Sequence, residues 1–413
     1  MTNDQDRDPR RRGGWLTSRQ DDLEAWLRGH RERAGEGGPL HPAVRAFGDL
    51  VEGDPILRMH AHRMIEEEPQ AKGYSEQPVE SLDQLLVLMD EVLTTAPEYG
   101  EAMVATPLGA VLDWTMGTPA GFAFYRDPRV NAALRDVLNA WAEYLEGPDS
   151  LSVLNASPSG WMGQAAREAI GIERFQHDPD APHWGFTSWN DFFTRRLAEQ
   201  ARPVAEPDDD TVVVAACEAT PYRIANGVQR SDDFWIKREP YSLVEMLAGD
   251  ESVDALVGGT VFQAFLSPTD YHRWHSPVAG RILRATVVPG TYYSEADSQG
   301  DAAAEPTVSQ GYLTHVATRA VVVLEADAAS IGTLALVFVG MSDVSSCIVA
   351  PGIAPGAHVA KGDELGWFQY GGSSWCGVFA PGVIADFALD AVPQEAAGPL
   401  PVRSRLARVA SAR

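Results

Sequence analysis

The sequence predicts an α+β chain: an α-helical N-terminal domain followed by a β-rich C-terminal domain with barrel-sandwich-like halves. Three observations carry that prediction. From Pro39 to about His183 apolar residues recur at helical spacing. From about Thr211 the texture changes to short β-rich runs bounded by Gly and Pro. Two later segments repeat one pattern of apolar strand residues and tight turns. One is Ser276-Pro277-Val278-Ala279-Gly280-Arg281-Ile282 leading to Val288-Pro289-Gly290, the other Ala350-Pro351-Gly352-Ile353 leading to Gly356-Ala357-His358-Val359-Ala360-Lys361-Gly362.

In chain order, residues 1–36 read as a disordered, solvated tail, with Asp4, Asp6, Arg7, Asp8 and Arg10 to Arg12 at its start. No apolar signal-peptide core stands there. Ser81 and Gln84 have capping-box spacing and open the apolar run Leu85, Leu86, Leu88, Met89, Val92, Leu93. Asp127-Pro128 is an N-cap with proline at the first helical position. The helix it opens buries Val130, Leu134, Val137, Leu138, Trp141 and Leu145, spaced by threes and fours, until Gly147-Pro148 stops it. Ser188 with Asp191 caps one more helix carrying Phe192, Phe193 and Leu197, with Arg195, Arg196 and Arg202 as its solvated edge.

Val212–Val214, Val321–Leu324 and Leu334–Val339 are apolar runs of strand length. The polar stretch between Tyr292 and Gln310 (Ser294, Glu295, Asp297, Asp301, Glu305) reads as a mobile loop or lid. Barrel-sandwich domains that carry biotin or lipoate present a lysine at a hairpin tip. The comparable turn here is Gly371 to Ser374 and has none, which argues against a carrier.

A chain of 413 residues holds two or three domains, and 45% hydrophobic content suffices for a core. With 33 basic against 58 acidic residues the formal charge is -25, a field that repels nucleic-acid phosphates and anionic lipid. No apolar run reaches the roughly 18 residues of a membrane-spanning helix, so stable membrane insertion is not expected. Cys217, Cys347 and Cys376 are odd in number and far apart, which suits a reducing cytoplasm rather than a disulfide framework or zinc site.

Two motifs bear on chemistry. In Tyr370-Gly371-Gly372-Ser373-Ser374 the paired glycines allow backbone conformations that a Cβ forbids, enough to bring the Ser373 hydroxyl onto the Gly372 carbonyl. Attack there turns a peptide bond into an ester and opens a route to chain cleavage. The other reading of the same residues is a flexible Gly-Ser turn. In Ser267-Pro268-Thr269-Asp270-Tyr271-His272-Arg273-Trp274-His275-Ser276-Pro277, capping-box spacing predicts one helical turn with His272 and His275 on one face. Two such imidazoles suit proton exchange near neutral pH, half of a metal site, or two surface histidines.

The segments Trp189-Asn190-Asp191-Phe192-Phe193-Thr194-Arg195-Arg196-Leu197, Tyr241-Ser242-Leu243, the Ser-Pro-Thr-Asp-Tyr-His-Arg-Trp-His run and Gly-Gly-Ser-Ser occur in this order. Together they resemble the phosphatidylserine decarboxylase family of pyruvoyl enzymes over about residues 186–385. The helical half is similar to the extra domain of that family's soluble branch, which includes a fungal tryptophan decarboxylase. Thr118-Pro119-Ala120-Gly121, Asp127-Pro128, Leu138-Asn139-Ala140-Trp141 and Gly160-Trp161 carry this second likeness.

The resemblance implies a self-processing proenzyme with a helical domain at 37–185 and a catalytic domain at 186–413. Ser373 would attack Gly372, the chain would part between them, and Ser373 would become a pyruvoyl group. That group, rather than pyridoxal phosphate or a metal, would condense with a substrate amine and accept electrons as carbon dioxide leaves. His275 would be the processing base, Glu218 its orienting carboxylate, and His272 the group that reprotonates the substrate carbon. Where the family has Asp followed by Gly, this chain has Cys217-Glu218-Ala219, so Glu218 also reads as a plain strand-end charge. The fragment 373–413 would stay bound within the sheet of fragment 1–372. A free L-amino acid, aromatic and tryptophan-like by analogy with the soluble branch, is the expected substrate, phosphatidylserine the alternative, and a silent scaffold a third reading. Trp235, Trp274 and Trp375 are candidate pocket residues.

Overall fold

The computed structural model describes residues 13–35, 37–69, 73–232, 241–295, 309–344, 346–394 and 397–410. Trp235, residues 296–308 of the expected loop or lid between Tyr292 and Gln310, and the charged cluster of residues 4–12 lie outside them. The first part is helical: α1 (Gln20–Ala34), α2 (Pro42–Gly53), α3 (Pro55–Glu66), α4 (Leu82–Val92), α5 (Pro107–Met116), α6 (Pro119–Phe124), α7 (Pro128–Glu146), α8 (Gln164–Ile170) and α9 (Trp189–Phe193). Local capping explains most of their starts. Ser81, Asp127 and Ser188 each accept a backbone N–H of the helix they open, as their spacing predicts. The six apolar residues expected along α7 are all buried. Every residue of α5 is buried, which makes it the central helix of this region.

Residues 13–35 correct the expected tail. Leu23, Leu27 and His30 recur at helical spacing and are buried on the inner face of α1, while Arg33 pairs with Glu91 outside. The charged composition hid a narrow apolar stripe.

The second part begins with β1 (Val212–Val214), β2 (Thr220–Asn226), α10 (Leu243–Met246), α11 (Val253–Leu256), β3 (Thr260–Leu266), β4 (Arg273–His275) and β5 (Gly280–Val288). It continues with α12 (Gln310–Val316), β6 (Arg319–Ala326), β7 (Thr333–Gly340), β8 (Ser346–Val349), β9 (His358–Val359) and β10 (Glu364–Gln369). It ends with β11 (Ser373–Phe379), β12 (Ile384–Phe387) and β13 (Arg405–Val409). The described strands form an antiparallel sheet ordered β2-β3-β11-β7-β6-β5-β9 and two smaller ones, β4-β10-β8 and β1-β13-β12. The chain is thus α+β, helices first and antiparallel strands after.

The apolar runs in β6 and β7 do not alternate with polar residues because the large sheet is covered on both faces. Leu334, Leu336 and Phe338 enter one core cluster, and Ala335, Val337 and Val339 the other. On the first face Trp274 of β4 stacks on Phe338 of β7, centroids 4.2 Å apart, and joins the small sheet to the large one.

Two expectations fail here. The apparent sequence copies are not structural copies: the first forms the nine-residue β5, the second turns into the two-residue β9. They pair with each other, Gly280 opposite Val359. Nor do His272 and His275 share a helical turn. Asp270 closes a turn by donating its N–H to the Ser267 carbonyl and accepting the Ser267 N–H on its carboxyl. The chain then extends, and Arg273 to His275 pair with β10. No helix among the described residues is long and apolar enough to cross a membrane.

Candidate active site

The Gly-Gly-Ser-Ser motif links β10 to β11. Gly371 has φ +128°, and a Cβ there would sit 2.5 Å from the Ser342 carbonyl oxygen and 2.6 Å from the Asp343 carbonyl carbon. Only glycine fits without moving backbone. Gly372 donates its N–H to the Ser342 carbonyl (2.9 Å), and its own carbonyl accepts the Met341 N–H (2.8 Å). The residue before the predicted scissile bond is therefore held from both sides by the chain leaving β7. Ser373 opens β11 between Leu266 of β3 and Gly340 of β7. Its hydroxyl is buried with no hydrogen-bond partner among the described residues. Such a group costs about 1–3 kcal/mol.

Among the described residues, buried polar atoms without partners recur in both motifs: the Ser373 and Ser374 hydroxyls and both ring nitrogens of His272. Concentrated orphans mark a place built for something other than packing. His272 is fully buried, stacks on Phe193 at 3.9 Å, and meets the edge of Trp15 at 5.8 Å. Burial, then the Arg195 charge, holds its pKa well below 6.5. Trp15 bridges the two motifs. Its Nε1 donates to the Leu266 carbonyl (2.7 Å), the residue opposite Ser373, and its Cδ1 would lie 3.6 Å from a Cβ at Gly372.

His275 is placed differently. Side chains alternate along an extended strand, so it points away from the face on which Trp274 meets Phe338. Ser373 and Trp375 lie on that Phe338 side, since Trp375 is opposite Phe338. Its Nδ1 lies 2.9 Å from the Gly362 carbonyl and its Nε2 3.1 Å from the Tyr271 hydroxyl. A carbonyl only accepts, so Nδ1 carries the proton and Nε2 is the basic nitrogen. Burial chiefly, helped by Arg403, lowers the ring to about 3. Glu218 is not brought onto His275. One carboxylate oxygen accepts Nε and Nη2 of Arg202 at 3.0 and 2.8 Å, with Arg174 4.0 Å from the other. Two guanidiniums hold this buried charge, and the Gly362 carbonyl orients the imidazole instead.

The expected solvated row of arginines holds for Arg196, which is exposed, and is corrected for Arg195 and Arg202. Arg195 is buried and donates Nη2 to the carbonyls of Thr269 and Asp270, locking the turn before His272. Burial lowers it to about 10. Trp274 and Trp375 are core residues, packed on Phe338 and Phe262. The aromatic wall at Ser373 and His272 consists instead of Trp15, Phe193 and Tyr370, which stand 4.4–6.4 Å apart ring to ring. Sequence reasoning missed Trp15, whose one signal was an indole in a polar segment. It also missed Asp343, an acid directly after the apolar strand β7.

The buried histidines make stability pH-dependent. His30, His275 and His315 are lowered to about 4, 3 and 4, mainly by burial. The unfolded chain takes up these protons near 6.5, the folded chain only far lower, so their contribution is present above pH 6.5 and lost on acidification. Asp270 and Asp343, raised by burial to about 8 and about 7, act with opposite sign, their contribution being lost as pH rises through those values. Between about pH 4 and 7 both are protonated in the fold while the unfolded chain ionises them, so on acidification they return stability and offset two of the histidines. The three histidines outnumber the two carboxyls, so stability, and with it the thermal midpoint, is expected to fall between pH 6 and 4.5 by a net amount on the order of 2 kcal/mol. A midpoint flat across that window contradicts neutral burial.

Comparison with known proteins identifies the family. Family models described as phosphatidylserine decarboxylase match residues 41–170 and 189–396. The chain is 37% identical over 334 residues to the decarboxylase iboD of Amanita muscaria, spanning 75% of this chain and 95% of that protein. It is 32% identical over 370 residues to the L-tryptophan decarboxylase of Psilocybe cubensis, covering 84% and 82% of the two. With phosphatidylserine decarboxylase proenzyme 3 of Schizosaccharomyces pombe it shares 31% identity over 209 residues, half of this chain and 20% of that one. Fold, site and relatives define a carboxy-lyase. The chain belongs to the phosphatidylserine decarboxylase family.

Proposed function

We propose that this chain is a self-processing, pyruvoyl-dependent decarboxylase of a free aromatic L-amino acid of the tryptophan type, with a helical domain at 37–185 and a catalytic domain at 186–413. The observation that carries the reading is the buried, unpartnered Ser373 hydroxyl beside a Gly372 carbonyl that already accepts a backbone N–H. Ser373 Oγ adds to the Gly372 carbonyl carbon, the peptide C–N bond breaks, and the hydroxyl proton passes to the freed Ser373 nitrogen. The Met341 N–H is placed to stabilise the oxyanion on Gly372. A base then removes the Ser373 α-proton, the Cβ–O bond breaks, and Gly372 leaves as a carboxylate. The dehydroalanine end tautomerises, takes up water and releases ammonia, which leaves a pyruvoyl terminus. His275 is assigned as processing base on family likeness, and its neutral tautomer offers Nε2 for that work.

The residues present fit such a group. It would form at the start of β11, beside His272 and under the ring of Trp15. When bound, it supplies an electron sink for the pair released with carbon dioxide. His272 supplies the proton at the substrate carbon, and Trp15, Phe193 and Tyr370 form an apolar wall suited to an aromatic side chain. The 41 residues of 373–413 include β11, between β3 and β7, and β13, paired to β1, so the small fragment stays within both sheets.

Carbon dioxide release measured side by side with tryptophan, tyrosine, phenylalanine and phosphatidylserine vesicles tests the substrate. Turnover of a free aromatic amino acid at least tenfold above vesicles is expected. Activity on vesicles alone transfers the assignment to phosphatidylserine, the substrate that the fission yeast relative's name states. A chain that stays in one piece on a denaturing gel and releases no carbon dioxide is a scaffold.

A further inference from the structure

Asp343 is a fully buried carboxylate with no cation on it among the described residues. Its Oδ1 accepts the Gly109 N–H at 2.8 Å and the Tyr293 hydroxyl at 2.6 Å, and its Oδ2 accepts the Leu108 N–H at 3.0 Å. Leu108 and Gly109 are in the first turn of α5, whose exposed N–H groups and dipole favour an anion. Its backbone has φ +62°, a left-handed conformation rare outside glycine. Burying an ionisable carboxyl so deeply is expensive, and a strained backbone adds to that cost. Both are found one residue from Ser342 and two from Met341, whose backbone groups bracket Gly372.

The same short segment grips the turn from its other side. The Ala105 carbonyl accepts the Tyr370 hydroxyl at 2.8 Å, while Ala105 N–H and the Thr106 hydroxyl donate to the Trp15 carbonyl. Residues 105–109 thus touch the chain before Gly371, the chain beneath Gly372, and the backbone of Trp15, whose indole lies beside Gly372. Since α5 is buried along its whole length, this is a fixed point rather than a surface contact.

We propose that Asp343 is a positioning residue for chain cleavage: it ties the turn holding the Gly372–Ser373 peptide to the N-terminus of α5, which makes the helical region part of the self-processing machinery. The proposal rests on the self-processing reading above. Its physical content is orientation. Attack by a neighbouring hydroxyl depends steeply on where the carbonyl is held, and an error near 1 Å is worth about 100-fold.

The test follows chain splitting over time after cell-free synthesis of the full chain, with and without hydroxylamine. Hydroxylamine captures the ester, leaving a hydroxamate at Gly372 and a free Ser373 amine, both read by intact mass. Asp343→Asn keeps size and tolerance of positive φ but sets an NH2 group against one N–H. It is expected to slow splitting at least tenfold, equally with and without hydroxylamine, because less ester forms. Tyr293→Phe removes one donor and is expected to slow it about threefold with the same pattern. A cooperative thermal transition reports which variants fold; should Asp343→Asn not fold, Tyr293→Phe decides alone. Splitting at the wild-type rate in a folded variant, or full rescue by hydroxylamine, overturns the proposal. A wild-type chain that never splits defeats the self-processing reading instead.

Discussion

Ser373→Ala is expected to leave one unbroken polypeptide and to abolish carbon dioxide release altogether. The hydroxyl is the only atom group removed, and it makes no hydrogen bond among the described residues. Its loss therefore carries no packing penalty, and relieving a buried unpartnered group is neutral or stabilising by up to about 1 kcal/mol. The variant should fold, melt at or slightly above the wild-type midpoint, and differ only in chemistry. Ser374 supplies the control. Its hydroxyl is also buried and free, but successive strand residues face opposite sides, and Ser374 lies opposite Phe265 and Val339 rather than Leu266 and Gly340. Ser374→Ala should split normally. Intact mass reads both results. A Ser373→Ala chain that still parts between residues 372 and 373 removes the serine from the mechanism.

What was legible in the sequence follows the range of the forces involved. Helix starts at Ser81, Asp127 and Ser188 depend on side chains reaching two or three residues along, so they can be read directly. The Gly-Gly-Ser knot is local in the same sense, since Gly371 announces an unusual backbone by itself. The histidine run was misread because its geometry is set by β10, which pulls Arg273 to His275 into a strand from about ninety residues downstream. Arg195 and Arg202 looked like a wet edge because their partners, the Thr269 and Asp270 carbonyls and Glu218, are contributed by other elements. Trp15 and Asp343 were invisible for the strongest version of this reason. Each acts across a contact of more than 230 residues in sequence, Trp15 to Leu266 and Asp343 to Gly109.

The second large effect separates the two histidines. His272→Ala is expected to give the normal pair of fragments and to lower the rate of carbon dioxide release by about 10²–10⁴, the usual worth of a positioned proton donor or acceptor. In the resting fold burial keeps the ring neutral, so it holds one N–H and one lone pair, and neither ring nitrogen reaches a partner at hydrogen-bond geometry among the described residues. The rate should therefore show no limb near pH 6.5, where an exposed histidine would titrate. His275→Ala is expected to give the reverse outcome, an uncut and inactive chain. Two considerations pull against each other here. Family likeness gives cleavage to His275, yet the strand alternation that carries Trp274 to Phe338 turns His275 away from Ser373, while Trp15 ties His272 to the Gly372 turn. An uncut His272→Ala chain with an intact thermal transition would hand the cleavage proton to His272. It would leave His275, anchored between Tyr271 and Gly362, as a support for the loop that carries Gly362.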